Sequence, residues 1–168
     1  LSANIRYRWR GKAKNEVIAS DGIGYYSYLP ATFIYNDPTF SYYKGINRKY
    51  RDNDQIGPFM TMVDDKLLNK YYYGEALMVA PFFAGAHIYG KIFHLDNDGY
   101  APHYQIAVCI AGLFWVLIGL YYLAKYLAQF VSPRTAAITS GLIYGGTNLF
   151  YYTVFEPSAS HPYSFTLV

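Results

Sequence analysis

The chain has 168 residues, enough for one domain with a sizeable core, but 53% of them are hydrophobic, 20% aromatic and only 15% charged. The formal net charge is +3, and all but three of the 14 Lys and Arg residues and all but four of the 11 Asp and Glu residues lie within residues 1–70. Residues 1–70 thus form a polar, basic front and residues 71–168 are mainly apolar, a division that argues against an ordinary soluble domain. The basic residues carry no zinc-finger, helix-turn-helix or RNA-recognition pattern, so we expect lipid headgroups or phosphate-bearing substrates as partners and no nucleic acid.

The first twenty residues alternate basic and other side chains after an apolar start. This pattern is typical of the exit end of a membrane helix, and equally of a solvated tail. The chain begins without Met and stops within an apolar stretch, so we expect it to be a fragment of a longer protein. Its one cysteine, Cys109, lies in an apolar run, so the sequence offers no disulfide framework and no metal-ligand spacing.

A motif at residues 20–31 places one carboxylate, that of Asp21, before two glycines and a series of tyrosines. Asp-Gly-x-Gly alone is also the signature of an ordinary turn. We predict a short aromatic helix over residues 22–35, entered through this turn and bent or ended by Pro30. Residues 36–38 predict a turn, and residues 40–70 read as a polar loop without periodicity.

Three apolar stretches follow. The first, residues 71–93, is interrupted by Glu75 and Lys91, so it either spans a membrane or lies in its interface, because an unpaired charge near the bilayer centre costs several kcal/mol. The second, residues 104–131, contains an uninterrupted uncharged run of about eighteen residues, from Ile106 to Leu123, and is long enough to cross the hydrocarbon core.

The third stretch, residues 135–155, is a further uncharged run whose glycines would let neighbouring helices approach closely. A polar loop follows at residues 156–162, and residues 163–168 begin another helix. Lys125 and Arg134 flank the turn between the second and third stretches, which predicts that this turn is cytoplasmic and that residues 156–162 lie on the other side. If residues 71–93 lie flat, Asp21 shares that side with Glu156; if they span, it does not.

The order of these features resembles the N-terminal part of the C-type glycosyltransferase superfamily, membrane enzymes that use polyprenyl-phosphate-linked sugars, and especially its aminoarabinose-transferase and protein-mannosyltransferase branch. Asp21 in Ser-Asp-Gly-Ile-Gly-Tyr-Tyr-Ser-Tyr-Leu matches the acidic motif of that branch's first external loop, with Gly22 in place of a second acid. Lys70 stands where the branch has a Lys-Pro-Pro-Leu-like helix, although both prolines are absent. Glu156 with His161 matches a second external acidic motif.

The resemblance implies an all-α, polytopic membrane protein, a helical bundle in the bacterial inner membrane with its active site on the extracytoplasmic side. Residues 1–103 would hold the end of a first span and a large external loop with juxtamembrane helices near residues 22–35 and 71–93. Residues 104–131 and 135–155 would be transmembrane helices, residues 156–162 the second external loop, and residues 163–168 the start of the next helix.

The implied reaction moves a sugar from the polyprenyl-phosphate donor to a lipid, glycan or protein acceptor. Such a transfer needs a base for the acceptor's proton and positive charge for the leaving phosphate. We expect no metal site built from this chain's residues, and a bound divalent cation is as compatible with the pattern as metal-independent transfer. The predicted catalytic residues are Asp21, as base, and Glu156, which would position the acceptor or help hold a divalent ion. The predicted phosphate ligands are Lys70, Arg48 and Arg51, and the predicted substrate contacts are Tyr25, Tyr28 and His161.

Two other classes of function are compatible with the same sequence features. In a transporter or channel fragment, Glu75, His87 and Lys91 would line a pathway as buried ionisable groups. In a non-catalytic membrane scaffold, the polar front would bind a protein partner and Asp21 would be an ordinary turn residue.

Overall fold

The computed structural model describes residues 17–51, 57, 59–63 and 66–168, apart from the side chains of residues 66 and 67. The basic alternation and the predicted end of a preceding span, in residues 1–16, lie outside these residues. The elements in chain order are α1 Asp21–Tyr26, α2 Tyr28–Pro30, a π-helical turn Ala31–Tyr35, α3 Tyr43–Arg51, β1 Met60–Val63, β2 Lys66–Asn69, α4 Gly74–Ile92, α5 Pro102–Leu127, α6 Pro133–Gly146, α7 Asn148–Phe155 and α8 His161–Leu167.

The prediction of a mostly helical chain is confirmed, but an all-α class is wrong in one place. Strands β1 and β2 pair antiparallel, with Met60 opposite Asn69 and Val63 opposite Lys66, inside the stretch expected to be a loop. The same stretch contains α3, which buries Tyr43 and Ile46 and exposes Lys44, Arg48 and Lys49. Segments of four to nine residues are too short for their periodicity to be read from sequence alone.

The apolar stretches on either side of residue 100 form a helical hairpin. Helices α4 and α5 run antiparallel, and three contacts fix their register: Trp115 Nε1 donates to the Met78 carbonyl at 3.0 Å, the rings of Phe82 and Phe114 meet at 5.3 Å, and His87 Nδ1 lies 2.6 Å from the Tyr104 hydroxyl. Helix α4 therefore lies alongside the first half of α5. That α4 spans a membrane or lies in its interface stays a prediction.

Helix α5 is the one helix among the described residues that is long and apolar enough to cross a membrane. It begins at Pro102, where a missing N–H costs nothing, and Asp98 accepts the backbone N–H groups of Tyr100 and Ala101 just before it. The span predicted over residues 104–131 corresponds to this helix, which starts two residues earlier and ends at Leu127.

The span predicted over residues 135–155 is divided in the structure. Helix α6 ends at Gly146 and α7 begins at Asn148, with extended backbone at Thr147 between them. The Thr147 hydroxyl donates to the Ile143 carbonyl at 2.8 Å and accepts the Leu149 N–H at 3.3 Å, so one side chain serves both helix ends. Paired glycines followed by Thr favour such a break, because Gly is a poor helix former and Thr a good N-cap.

A buried cluster of tyrosines joins α1 and α2 to the loop that precedes α5. Tyr26 donates to the Gly99 carbonyl at 2.6 Å, Tyr42 donates to the Ser27 carbonyl at 2.9 Å, and the Tyr100 hydroxyl lies 3.1 Å from Ser27 Oγ. Each phenol thus brings a large apolar ring into the core and satisfies its own polar end. This cluster fixes where the Asp21 motif lies relative to the hairpin.

Among the described residues, two buried side chains are exceptions in this well-paired core: Nε2 of His103 has no hydrogen-bond partner, and neither has one carboxyl oxygen of Glu75, in the first turn of α4. Glu75 is 8% exposed, and the oxygen concerned is Oε2. Burial raises the pKa of Glu75 to about 9, so the folded protein holds this carboxyl in its neutral form.

We expect Glu75→Gln to stabilise the protein, and to do so more at pH 8 than at pH 5. The folded pKa lies above the unfolded one, so wild-type stability falls as pH rises from about 4.5 toward 9, while glutamine does not titrate. Thermal unfolding of detergent-solubilised protein at the two pH values measures this difference. The exposed Glu156→Gln is the control; an equal effect of Glu75→Gln at both pH values would contradict the expectation.

Candidate functional site

A cavity of about 190 Å³ lies between the start of α1 and the loop that leads into α8. Asp21, Glu156 and His161, which are far apart in the sequence, all line it. Three of the predicted site residues therefore share one space. The described residues of its wall are Val17, Ala19, Ser20, Asp21, Gly22, Tyr152, Phe155, Glu156, Ala159 and His161.

Close packing at Gly22 holds the two sides of the cavity together. A Cβ atom at this position would overlap both Oγ and the carbonyl oxygen of Ser158. Ser158 Oγ also donates to the Val17 carbonyl at 2.7 Å. The family motif that the sequence resembles has a second acid where Gly22 stands; in this chain no side chain fits there.

Asp21 is the first residue of α1, and the backbone just before it is unusual, since Ser20 has a φ of 51°. The carboxylate is exposed to the cavity, and its Oδ1 accepts a hydrogen bond from the Tyr71 hydroxyl at 2.5 Å. An exposed carboxylate with one oxygen held by a phenol is suited to accept a proton from a bound hydroxyl group.

The opposite wall carries a second carboxylate and an aromatic pair. Glu156, at the end of α7, accepts a hydrogen bond from the Tyr151 hydroxyl at 3.1 Å. The His161 ring stacks on that of Tyr152, with centroids 3.8 Å apart and planes 29° from parallel. Flat faces with polar edges beside a carboxylate are typical of sites that hold a sugar or another polyhydroxyl group.

Lys70 lies outside the cavity but close to Asp21. It is exposed, and its Nζ is 5.2 Å from the centre of the Tyr71 ring, the same ring whose hydroxyl binds Asp21. Among the described wall residues there is no Lys or Arg, so the cavity itself carries negative charge. A phosphate group would therefore bind more favourably beside Lys70 than inside.

The two arginines predicted to bind phosphate lie on α3 and do not appear in the described wall of the cavity. Arg51 donates to the Tyr43 hydroxyl, to Asn47 Oδ1 at 2.9 Å and to the Ile18 carbonyl at 3.4 Å. Its guanidinium group thus ties α3 to the segment before Asp21. Arg48 is exposed on the same helix, and its predicted phosphate contact stays a prediction.

The two tyrosines predicted to contact sugar surround Tyr71 instead of lining the cavity. The ring of Tyr25 lies 4.8 Å from that of Tyr71, and Tyr28 donates to the Tyr71 carbonyl at 2.6 Å. Sequence reasoning missed Tyr71, Tyr152 and Ser158. The chain has 21 tyrosines, and the sequence alone does not distinguish the one that contacts Asp21 from its neighbours.

Within the described residues, no group of three or more His, Cys, Asp and Glu side chains is arranged to hold a metal ion. The possible divalent cation stays an expectation. Comparison of the chain with protein-family models, with curated proteins and with solved structures found no match. The function is therefore inferred from the chemistry of the cavity and from the helix beside it.

We expect Gly22→Ala to destabilise the protein by about 1–3 kcal/mol, because the added methyl must push the Ser158 backbone away. Chemical unfolding followed by circular dichroism measures the change. Gly45→Ala is the matched control, since a Cβ there meets nothing within 4 Å. A Gly22→Ala variant as stable as the control would show that the two segments are not in close contact.

Proposed function

We propose that the protein is an integral membrane glycosyltransferase that moves a sugar from a polyprenyl-phosphate donor to a lipid, glycan or protein acceptor. The observation that carries the proposal is the shared cavity of Asp21, Glu156 and His161. The loop that supplies its second wall packs on α5, because Pro157 lies against Gly112, 3.1 Å from where a Cβ there would be. The site therefore borders the helix that is long and apolar enough to cross a membrane.

In the proposed reaction Asp21 is the general base. It takes the proton from the acceptor hydroxyl as that oxygen attacks the anomeric carbon of the sugar. The bond between this carbon and the phosphate oxygen breaks, and its electron pair leaves with the polyprenyl phosphate. Glu156 would hold a second hydroxyl group of the acceptor, and the His161–Tyr152 stack would support the sugar ring.

The distribution of charge supports a division of the donor between two places. Two carboxylates line the cavity, which favours neutral sugar and acceptor groups over anions. The ammonium group of Lys70 lies outside, on the face of the Tyr71 ring, where it could bind the lipid phosphate as a point charge. The polyprenyl chain would then extend into the membrane lipid.

The transporter and scaffold alternatives have less specific support. Glu75 is packed in the core, and His87 is engaged with the Tyr104 hydroxyl between α4 and α5, so neither residue opens onto a pathway of its own. The polar front that a scaffold would use lies partly outside the described residues. Glycosyl transfer is the function that the cavity supports best, and we propose that the protein lies in a bacterial inner membrane with its active site on the extracytoplasmic side.

We expect Asp21→Asn to lower turnover by about a hundredfold to ten-thousandfold, because the amide keeps the shape of the side chain and removes its basicity. Purified variants in liposomes, matched for folded amount, would be given tritium-labelled polyprenyl-phosphate sugars with extracted membrane lipid and protein as acceptors. Asp37→Asn is the control, since within the described ranges the Asp37 carboxylate is hydrogen-bonded to its own turn, through Thr39, Ser41 and Tyr42. Activity of Asp21→Asn within about threefold of wild type, well short of the general-base effect, would reject the base role.

We also expect Ser20 and His161 to face the extracytoplasmic side and Ser132, in the turn between α5 and α6, to face the cytoplasm. Each residue is exposed, so each can be changed singly to Cys in a Cys109→Ser background. In intact cells a membrane-impermeant maleimide should label the first two positions, and the third only after permeabilisation. Labelling of Ser132→Cys in intact cells, or of only one of the other two, would contradict the topology.

A further inference from the structure

Tyr71 lies between strand β2 and helix α4 and is fixed at several atoms. Its backbone N–H donates to Asn69 Oδ1 at 3.0 Å, and its carbonyl accepts from the Tyr28 hydroxyl at 2.6 Å. Asn69 in turn donates from Nδ2 to the Gly24 carbonyl at 2.7 Å. The residue is thus tied to α2 through its own carbonyl and to α1 through its neighbour Asn69, which leaves its side chain little freedom.

The Tyr71 ring packs directly against the backbone of α1 at Gly24, where any larger residue would collide with it. A Cβ at Gly24 would overlap the Cδ2 edge of the ring. Gly24 lies inside a helix and has no left-handed backbone to require glycine. Glycine inside a helix costs about 1 kcal/mol relative to alanine, so the benefit of Gly24 is room for this ring.

The hydroxyl at the end of the ring is a permanent donor. Burial, and then the hydrogen bond to Asp21, raises the pKa of Tyr71 to about 12, so the phenol keeps its proton across the neutral range. Because the phenol keeps its proton, it goes on donating to the Asp21 carboxylate at the pH where a general base works. The hydrogen bond engages Oδ1 of Asp21 and leaves Oδ2 to receive a proton.

We propose that Tyr71 is the positioning residue of Asp21: its hydroxyl holds Oδ1, so that the carboxylate presents Oδ2 to the acceptor in one orientation. Gly24 contributes to the same arrangement, because the absence of a side chain there leaves room for the Tyr71 ring. This inference rests on the proposed transfer reaction for its kinetic consequence. The contact between the two side chains can be tested without that reaction.

The kinetic test compares Tyr71→Phe with Tyr72→Phe in the transfer assay with polyprenyl-phosphate sugars. Tyr72 is the next residue and is 86% exposed, so it loses the same atom without a role in the site. We expect Tyr71→Phe to lower kcat roughly ten- to a hundredfold, the worth of one hydrogen bond to a charged group, with the donor KM within about twofold. Unchanged kcat, or a loss that lies in KM alone, would overturn the positioning role.

A second variant, Gly24→Ala, keeps the Tyr71 hydroxyl but should move it away from Asp21. Gly24→Ala should displace the ring and lower kcat as Tyr71→Phe does, whereas Gly74→Ala, where a Cβ meets nothing within 4 Å, should not. If both alanine variants keep wild-type kcat, the link between Gly24, Tyr71 and Asp21 is wrong. Circular dichroism confirms that the compared variants are folded.

A third measurement separates failure of this inference from failure of the proposed function. A water-soluble carbodiimide modifies carboxyl groups, and mass spectrometry of the peptide that contains Asp21 gives the rate. Without the phenol that holds Oδ1 of Asp21, both carboxylate oxygens are open to the reagent, so Tyr71→Phe should speed modification of Asp21 severalfold, and Tyr72→Phe should not. If wild type transfers no sugar but this difference is found, only the transferase proposal falls; equal rates in all three proteins would overturn the contact itself.

Discussion

The close approach of Gly22 to Ser158 is the constraint on which the rest of the site depends. The two backbones are near enough to exclude any side chain at residue 22, and they join the first described helix to the loop before the last one. The same loop rests on α5 through Pro157 and Gly112. A contact between residues far apart in sequence thereby sets both the width of the cavity and its place beside the apolar helix.

Around this contact the chain separates its charges. The carboxylates of Asp21 and Glu156 line the cavity, while Lys70 lies outside it on the face of the Tyr71 ring. Tyr71 connects the two regions, because one end of its side chain binds the acid and its flat face meets the cation. A donor molecule with a neutral sugar and an anionic phosphate matches this arrangement along its length.

Much of the helical architecture and one part of the site could be predicted from sequence, because the signals were long or chemically distinctive. The uncharged run of α5 needs no tertiary information, and Asp21, Glu156 and His161 stand out as polar groups beside apolar segments. The break at Thr147, the β hairpin and the packing of Arg51 depend on short local preferences and on partners distant in sequence. Tyr71 was hidden for another reason: three consecutive tyrosines look equivalent, and only the space left by Gly24 distinguishes the first.

Thr147, the single residue between α6 and α7, makes the helix that supplies cavity-wall residues separate from the helix that follows α5. Helix α7 carries Tyr152 and Phe155 into the cavity wall, and Thr147 ends the preceding helix and starts this one. Substitutions at Tyr152 and Phe155 can thus reshape the cavity while the long hairpin of α4 and α5 keeps its packing. In such a chain the range of accepted molecules can diverge during evolution at little cost to the framework.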